Sequence, residues 1–168
     1  YACTSGSSLE TGGYDAGLSD RIAKASGTPA STTSTAVAAA LRYLGVKKVA
    51  VVTPYPQEIN EKEMAFFADL GFDAVSLESF YQSDSYEIPM IAQDETRALA
   101  EKADREEADG VFISCTNLAT ADIIELLERE LGKPAVTSNQ ATFWMALREM
   151  GIDAFVPGCG RLLAEPLP

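Results

Sequence analysis

The chain has 168 residues, 46% of them hydrophobic and 23% charged, with a formal net charge of −12. That composition suits one ordinary domain or two small lobes and argues against disorder, while the negative charge argues against nucleic acid and anionic membrane surfaces as partners. No run approaches the roughly 20 apolar residues of a membrane helix, and the absence of histidine excludes Ser-His-Asp and Cys-His triads and His-containing zinc sites within this chain.

Tyr1-Ala2-Cys3-Thr4-Ser5-Gly6-Ser7 opens the chain and brings a cysteine to a Cys-Thr step with almost no strand ahead of it. A strand-bearing N-terminal segment is therefore expected to lie outside this sequence. Pro29 to Thr33 reads as a linker between lobes. Thr35 to Leu44 is Ala-rich and helical, stopped by Gly45. Lys48 to Thr53 has the apolar run of a buried strand, ended by Pro54. A helix is predicted over Asn60 to Leu70, a strand over Asp73 to Leu77, and a helix over Gln93 to Glu107. Gly110 to Ser114 is a second buried strand. It is followed by a helix over Ala121 to Leu131, a strand over Pro134 to Thr137 and a helix over Gln140 to Met150, with Gly132 and Gly151 as stops. Strands alternating with such helices predict an α/β fold with a mainly parallel sheet, in which ligands bind beyond the carboxyl ends of the strands. Cys3, Tyr55 and Cys115 are all expected at such ends.

Gly110-Val111-Phe112-Ile113-Ser114-Cys115-Thr116-Asn117 repeats the Cys-Thr step of the N-terminus. A thiol beside a helix N-terminus is where a thiolate forms most easily and where a carboxylate is readily bound. Cys3 and Cys115 therefore read as a nucleophile with a proton donor, or as two opposed bases; the alternative is two small buried residues at strand ends. Thr4, Ser5, Thr116 and Asn117 supply hydroxyl, amide and backbone N–H groups for a substrate carboxylate, or serve only as helix caps. The Tyr55 phenol is placed to bond a carboxylate or an enolate oxygen, or else packs at the rim. Cys159, in Pro157-Gly158-Cys159-Gly160, reads as a structural thiol. The Gly-rich stretch Ser5 to Gly13 lacks the order of a phosphate loop. The acidic runs Glu58 to Glu63 and Glu101 to Asp109 read as solvated helix faces. No spacing suits a metal. Three cysteines without a disulfide framework suggest a reduced, cytoplasmic protein.

Four blocks in order, Tyr1 to Ser7, Val52-Thr53-Pro54-Tyr55, Phe112 to Leu118 and Val136-Thr137-Ser138-Asn139-Gln140-Ala141, resemble the aspartate/glutamate racemase superfamily. The nearest branch is that of maleate cis-trans isomerase and arylmalonate decarboxylase. The resemblance implies two pseudo-symmetric α/β lobes with mainly parallel four-stranded sheets around one cleft. The first lobe would be 1–32 with 138–168, incomplete at its N-terminus, and the second 33–137. It implies no metal and no organic cofactor, a small carboxylate substrate, and admits a homo-oligomer. Cys3 matches the first catalytic cysteine and Cys115 the second, Tyr55 a substrate-binding tyrosine, and Thr4, Ser5 and Thr116 positions near the substrate carboxylates.

Two departures from the pattern bear on substrate. Where the isomerases place a substrate-contacting Asn, this chain reads Ser83-Asp84-Ser85, and a carboxylate aimed inward there would repel a dicarboxylate. The decarboxylases keep only the second cysteine, whereas Cys3 is present here. The leading expectation is thus a cofactor-independent isomerase of a small carboxylic or dicarboxylic acid, either maleate isomerase-like or racemase-like. The alternatives are a decarboxylase using Cys115 alone and a non-catalytic small-acid-binding protein of the same fold.

Overall fold

In the computed structural model, which describes residues 1–152 and 155–164, four parallel strands form one sheet in the order β2-β1-β3-β4. The elements run α1 (Thr4–Ser7), α2 (Tyr14–Ser26), α3 (Thr33–Tyr43), β1 (Lys48–Thr53), α4 (Gln57–Asp69) and β2 (Asp73–Ser79). After a one-turn 3-10 helix (Ile88–Met90) come α5 (Gln93–Ala103), β3 (Gly110–Ile113), α6 (Ile124–Leu131), β4 (Ala135–Thr137), α7 (Ser138–Glu149) and α8 (Arg161–Ala164).

The period of two along β1 divides the core. Val49 and Val51 face α3, α4 and α7 with Leu41, Phe66, Phe67 and Trp144. Ala50 and Val52 face the other side with Ala100, Ile113 and Leu127. Phe67 packs edge-on against Phe66, Phe72 and Phe112 at centroid distances of 5.4, 6.1 and 5.3 Å. This anchors α4 and so fixes where its first turn meets the end of β1.

The four strands predicted from Lys48 onward are present, shifted by at most two residues at an end, and the larger differences lie in the helices. α3 starts two residues before its predicted start because the Thr32 hydroxyl accepts from Thr35 N at 3.1 Å. α4 starts at Gln57, directly after Pro56. α5 stops at Ala103 rather than Glu107, where Asp104 turns extended and pairs with Lys133 at 2.8 Å. Residues 121–123 form a turn, and the helix starts at Ile124. Pro29 to Ser31 is irregular and joins α2 to α3, but Thr32 caps α3 and Thr33 opens it. α1 is the helix expected after the Cys3-Thr4 step, and α2 was not anticipated.

Cys3 does not end a strand. Residues 1–3 are irregular, with Tyr1 O accepting from Cys3 N and Thr33 N at 3.2 and 3.1 Å, and no sheet strand pairs with them. Cys3 is instead the N-cap of α1. Among the described residues no helix is long and apolar enough to cross a membrane.

Candidate active site

β1 and β3 run side by side, and the residues just past their ends lie at the same edge of the sheet. Tyr55 follows β1 by two residues and Cys115 follows β3 by two. Together with Cys3, Thr4, Ser5, Thr116 and Asn117 they line one pocket of about 260 Å³. All seven residues singled out in the sequence therefore meet in one place. Pro56, Ile59, Gln82, Ser83, Ser85 and Ile88 complete the lining. The pocket has an apolar wall of Tyr55, Pro56, Ile59 and Ile88, and hydroxyl, thiol and amide groups around the rest. No lining residue is Lys or Arg, so a carboxylate bound here must rely on neutral donors.

The two thiols sit in different surroundings. Cys3 is half-buried, and its Sγ accepts from Gly6 N at 3.4 Å, with Ser5 Oγ at 3.9 Å. Gly6 leaves room for it: a Cβ there would meet Tyr1 Oη at 2.6 Å and Cys3 Sγ at 3.0 Å. Cys115 is buried, and its thiol is pushed up, chiefly by desolvation. The Tyr55 phenol and Asn117 N, which donates to Sγ at 3.4 Å, pull the other way. Cys115 also holds φ at +95°, a region costly for a residue with a Cβ.

Two bridges lace the cysteine loops together. Ser138, the first residue of α7, accepts from Thr4 Oγ1 at 2.7 Å and from Cys115 N at 3.0 Å. Thr116 Oγ1 donates to Ala2 O at 3.2 Å. The Thr4 hydroxyl, which is buried, is thus committed to Ser138. Asn117 Nδ2 donates to Ser85 O at 3.1 Å, fastening the 80–92 loop over the pocket. Ser138 lies in the fourth matched block, but nothing in its sequence context marks it as a clasp between thiols.

Tyr55 is 5% exposed, and burial, then the charges of Glu63 and Cys115, push its phenol far up, so it stays protonated. Its carbonyl accepts from Asn60 Nδ2 at 3.0 Å and Ser79 Oγ at 2.7 Å, which holds the ring in place. Ser114 Oγ lies 3.5 Å from the phenol oxygen. Asp84, a concern in the sequence, turns away: it is exposed, does not line the pocket, and accepts from Tyr86 N at 2.9 Å. Cys159 is half-buried and lies outside the pocket lining.

The acidic run over α4 is not all a solvated face. Glu58 and Lys62 are solvated and paired at 2.9 Å, but Glu63 is fully buried. It shares the inward face with Asn60, Phe66 and Phe67, three and four residues away. Burial raises its carboxyl to about 7, with Ser114 drawing it down. Ser114 does not reach hydrogen-bonding geometry, and neither carboxyl oxygen has a partner. The helical spacing carried this signal, masked by the surrounding acids. Asp109, in the other run, is likewise not merely solvated: it accepts from Lys47 N and Lys48 N at 3.0 and 2.8 Å, which lowers its carboxyl. Among the described residues no group of three or more Cys, Asp or Glu is arranged to hold a metal ion.

Fold and site together define an α/β protein with a paired-thiol pocket at the carboxyl edge of a parallel sheet. The arylmalonate decarboxylase family model matches residues 2–163, and the chain belongs to that family, in the branch of the aspartate/glutamate racemase superfamily that also holds maleate isomerases. It is 36% identical over 158 residues to an arylmalonate decarboxylase of Bordetella bronchiseptica, covering 90% of this chain and 65% of that protein. It is 32% identical over 126 residues to a maleate isomerase of Nocardia farcinica, covering 74% and 50%. The chain thus spans less than two thirds of either relative. Among solved structures, a glycine-to-cysteine mutant of arylmalonate decarboxylase in a sulfate-associated form superposes with a TM-score of 0.91 at 35% identity, over 98% of this chain and 72% of that one. A cysteine-to-serine mutant of the Nocardia farcinica maleate cis-trans isomerase, carrying a covalently bound succinylcysteine intermediate, superposes at 0.92 with 27% identity, over 98% and 69%.

Proposed function

We propose that the protein is a two-thiol isomerase of small carboxylic or dicarboxylic acids, working without metal or organic cofactor by cis-trans isomerisation or racemisation. The observation that carries this reading is that Cys3 and Cys115 line one pocket. In the cis-trans route the Cys3 thiolate adds to one alkene carbon, and the displaced electron pair passes to the neighbouring carboxylate as an enediolate. Neutral donors around the pocket, the Tyr55 phenol and the Ser5 hydroxyl among them, hold that charge as an oxyanion hole does. The former double bond rotates, the electron pair returns, and Cys3 leaves to give the trans acid. Cys115 serves as acid/base partner to the enediolate. The succinylcysteine intermediate of the Nocardia enzyme supports such an addition. In the racemase route one thiolate takes the α-proton and the other thiol returns a proton to the opposite face. In both routes Thr4, Thr116 and Asn117 shape the carboxylate end of the site.

We further assign residues 1–32 with 138–168 to a first lobe and 33–137 to a second, as the family's two-lobed plan requires; a homo-oligomer fits this plan. A second reading, decarboxylation with Cys115 alone as proton donor, is favoured by the 36% identity to an arylmalonate decarboxylase and by the apolar wall of the pocket.

The test is turnover of maleate, aspartate, glutamate and arylmalonates by the native protein and by Cys3→Ser and Cys115→Ser. Loss of isomerisation in both variants is expected. Carbon dioxide release that survives Cys3→Ser would establish the decarboxylase instead, and no turnover of any acid would leave a binding protein. Deuterium obligatorily incorporated at the α-carbon would select the racemase route.

A further inference from the structure

The two thiols need different protonation states in either isomerase route; burial of Cys115 is the first cause that sets them apart, and a buried charge behind the pocket wall adds to it. Behind the wall formed by Tyr55 and Ile59 lies Glu63, one helical turn beyond Ile59. It is 0% exposed, and neither carboxyl oxygen has a hydrogen-bond partner. An orphaned acid in the core is costly and has no evident packing purpose. We infer that Glu63 is a positioning residue for the thiol pair: its charge opposes a second negative charge on Cys115, so that Cys115 keeps its proton and acts as the acid while Cys3 carries the thiolate.

The groups facing Glu63 support this. From the turn after β1 comes the Tyr55 phenol, and from the end of β3 come Ser114 and Cys115; burial is the main cause that pushes the phenol and the Cys115 thiol up, and the charge of Glu63 adds to it in the same direction. Cys3, at the start of α1, acts on Cys115 in the same sense. Among the described residues no ion pair offsets the charge of Glu63: Lys62 pairs with Glu58, Lys102 with Glu78, Arg97 with Glu101 and Glu130, and Lys133 with Asp104. The other acids of α4, Glu58, Glu61 and Asp69, are exposed. Like charges sharing a buried site titrate as one unit, so a proton lost from Glu63 is a proton held more firmly on Cys115.

This assignment rests on the two-thiol reading for its purpose, but its test does not require turnover. In a Cys3→Ser, Cys159→Ser background Cys115 is the sole thiol, and its alkylation by iodoacetamide is followed against pH. With Glu63→Gln the midpoint of that profile should fall, and alkylation below the midpoint should quicken about threefold to tenfold through the larger thiolate fraction. Glu63→Asp, which keeps the charge, should retain the native midpoint. An unmoved midpoint in Glu63→Gln overturns the inference, whatever the substrate panel shows. Should Glu63→Gln fail to fold, difference infrared on the parent background reports the buried carboxyl. Its protonated C=O band should vanish over the same pH range in which the Cys115 profile bends, and an unbent profile there is equally fatal.

Discussion

Replacing Glu63 by glutamine keeps the shape of a fully buried side chain and deletes its ionisation. In the fold, burial raises this carboxyl from its ordinary 4.5 to about 7. The folded protein therefore holds a proton that the unfolded chain has already released, and between those two values stability must fall as pH rises. The contribution is fully present below about pH 4.5 and gone above about pH 7. A gap of about 2.5 pH units, at about 1.4 kcal/mol each, makes the loss on the order of 3 kcal/mol. The carboxyl is fully buried and unpaired, so solvent screens little of this. Urea unfolding of native protein and Glu63→Gln, at intervals from about pH 4.5 to 8, isolates the effect, because every other group titrates in both proteins. The difference in unfolding free energy should move by on the order of 3 kcal/mol in favour of the variant as pH rises. Parallel curves would refute the reasoning. A difference of opposite sign would mean that the carboxylate is held ionised by a partner.

Two further substitutions probe the thiol-bearing loops. Ser138→Ala orphans both the Thr4 hydroxyl and Cys115 N–H, which are buried and bonded at 2.7 and 3.0 Å. Denaturant unfolding should show a loss of about 1–3 kcal/mol for each orphaned group, with turnover falling because the two cysteine loops share this anchor; a loss under about 0.5 kcal/mol would contradict it. Cys115→Gly and Cys115→Ala both remove the thiol, but only glycine is at ease at φ +95°. The glycine variant should be about 1 kcal/mol the more stable, against the usual order of the two residues; thermal unfolding reads this, and a more stable alanine variant would deny the strain.

Much of the site was legible because it is written locally. Thr53-Pro54-Tyr55 ends a buried strand, and Ser114-Cys115-Thr116 follows another, so strand ends alone bring Tyr55 and Cys115 to one edge. Cys3 sits at a helix start as expected, but on irregular residues tied through Tyr1 O to α3 rather than at a strand end. Glu63 was misread because six of the seven residues from Gln57 to Glu63 are polar or charged, so the two buried ones, Asn60 and Glu63, do not stand out. Asp84 could not be placed, since whether a loop carboxylate faces a pocket depends on the turn it caps, here at Tyr86 N.

What the chain determined by itself is the alternation of strands and helices, the seven residues that gather in the pocket, and the exclusion of histidine chemistry; these follow from periodicity, turn residues and composition. What the tertiary structure decided is how unlike the two thiols are. The clasp of Ser138 to Thr4 spans 134 residues, the burial of Glu63 needs the sheet packed against α4, and the strained backbone of Cys115 needs β4 and α7 beside it. Desolvation and long-range hydrogen bonds exist only once distant segments are packed together, so they are the properties that a local pattern cannot carry.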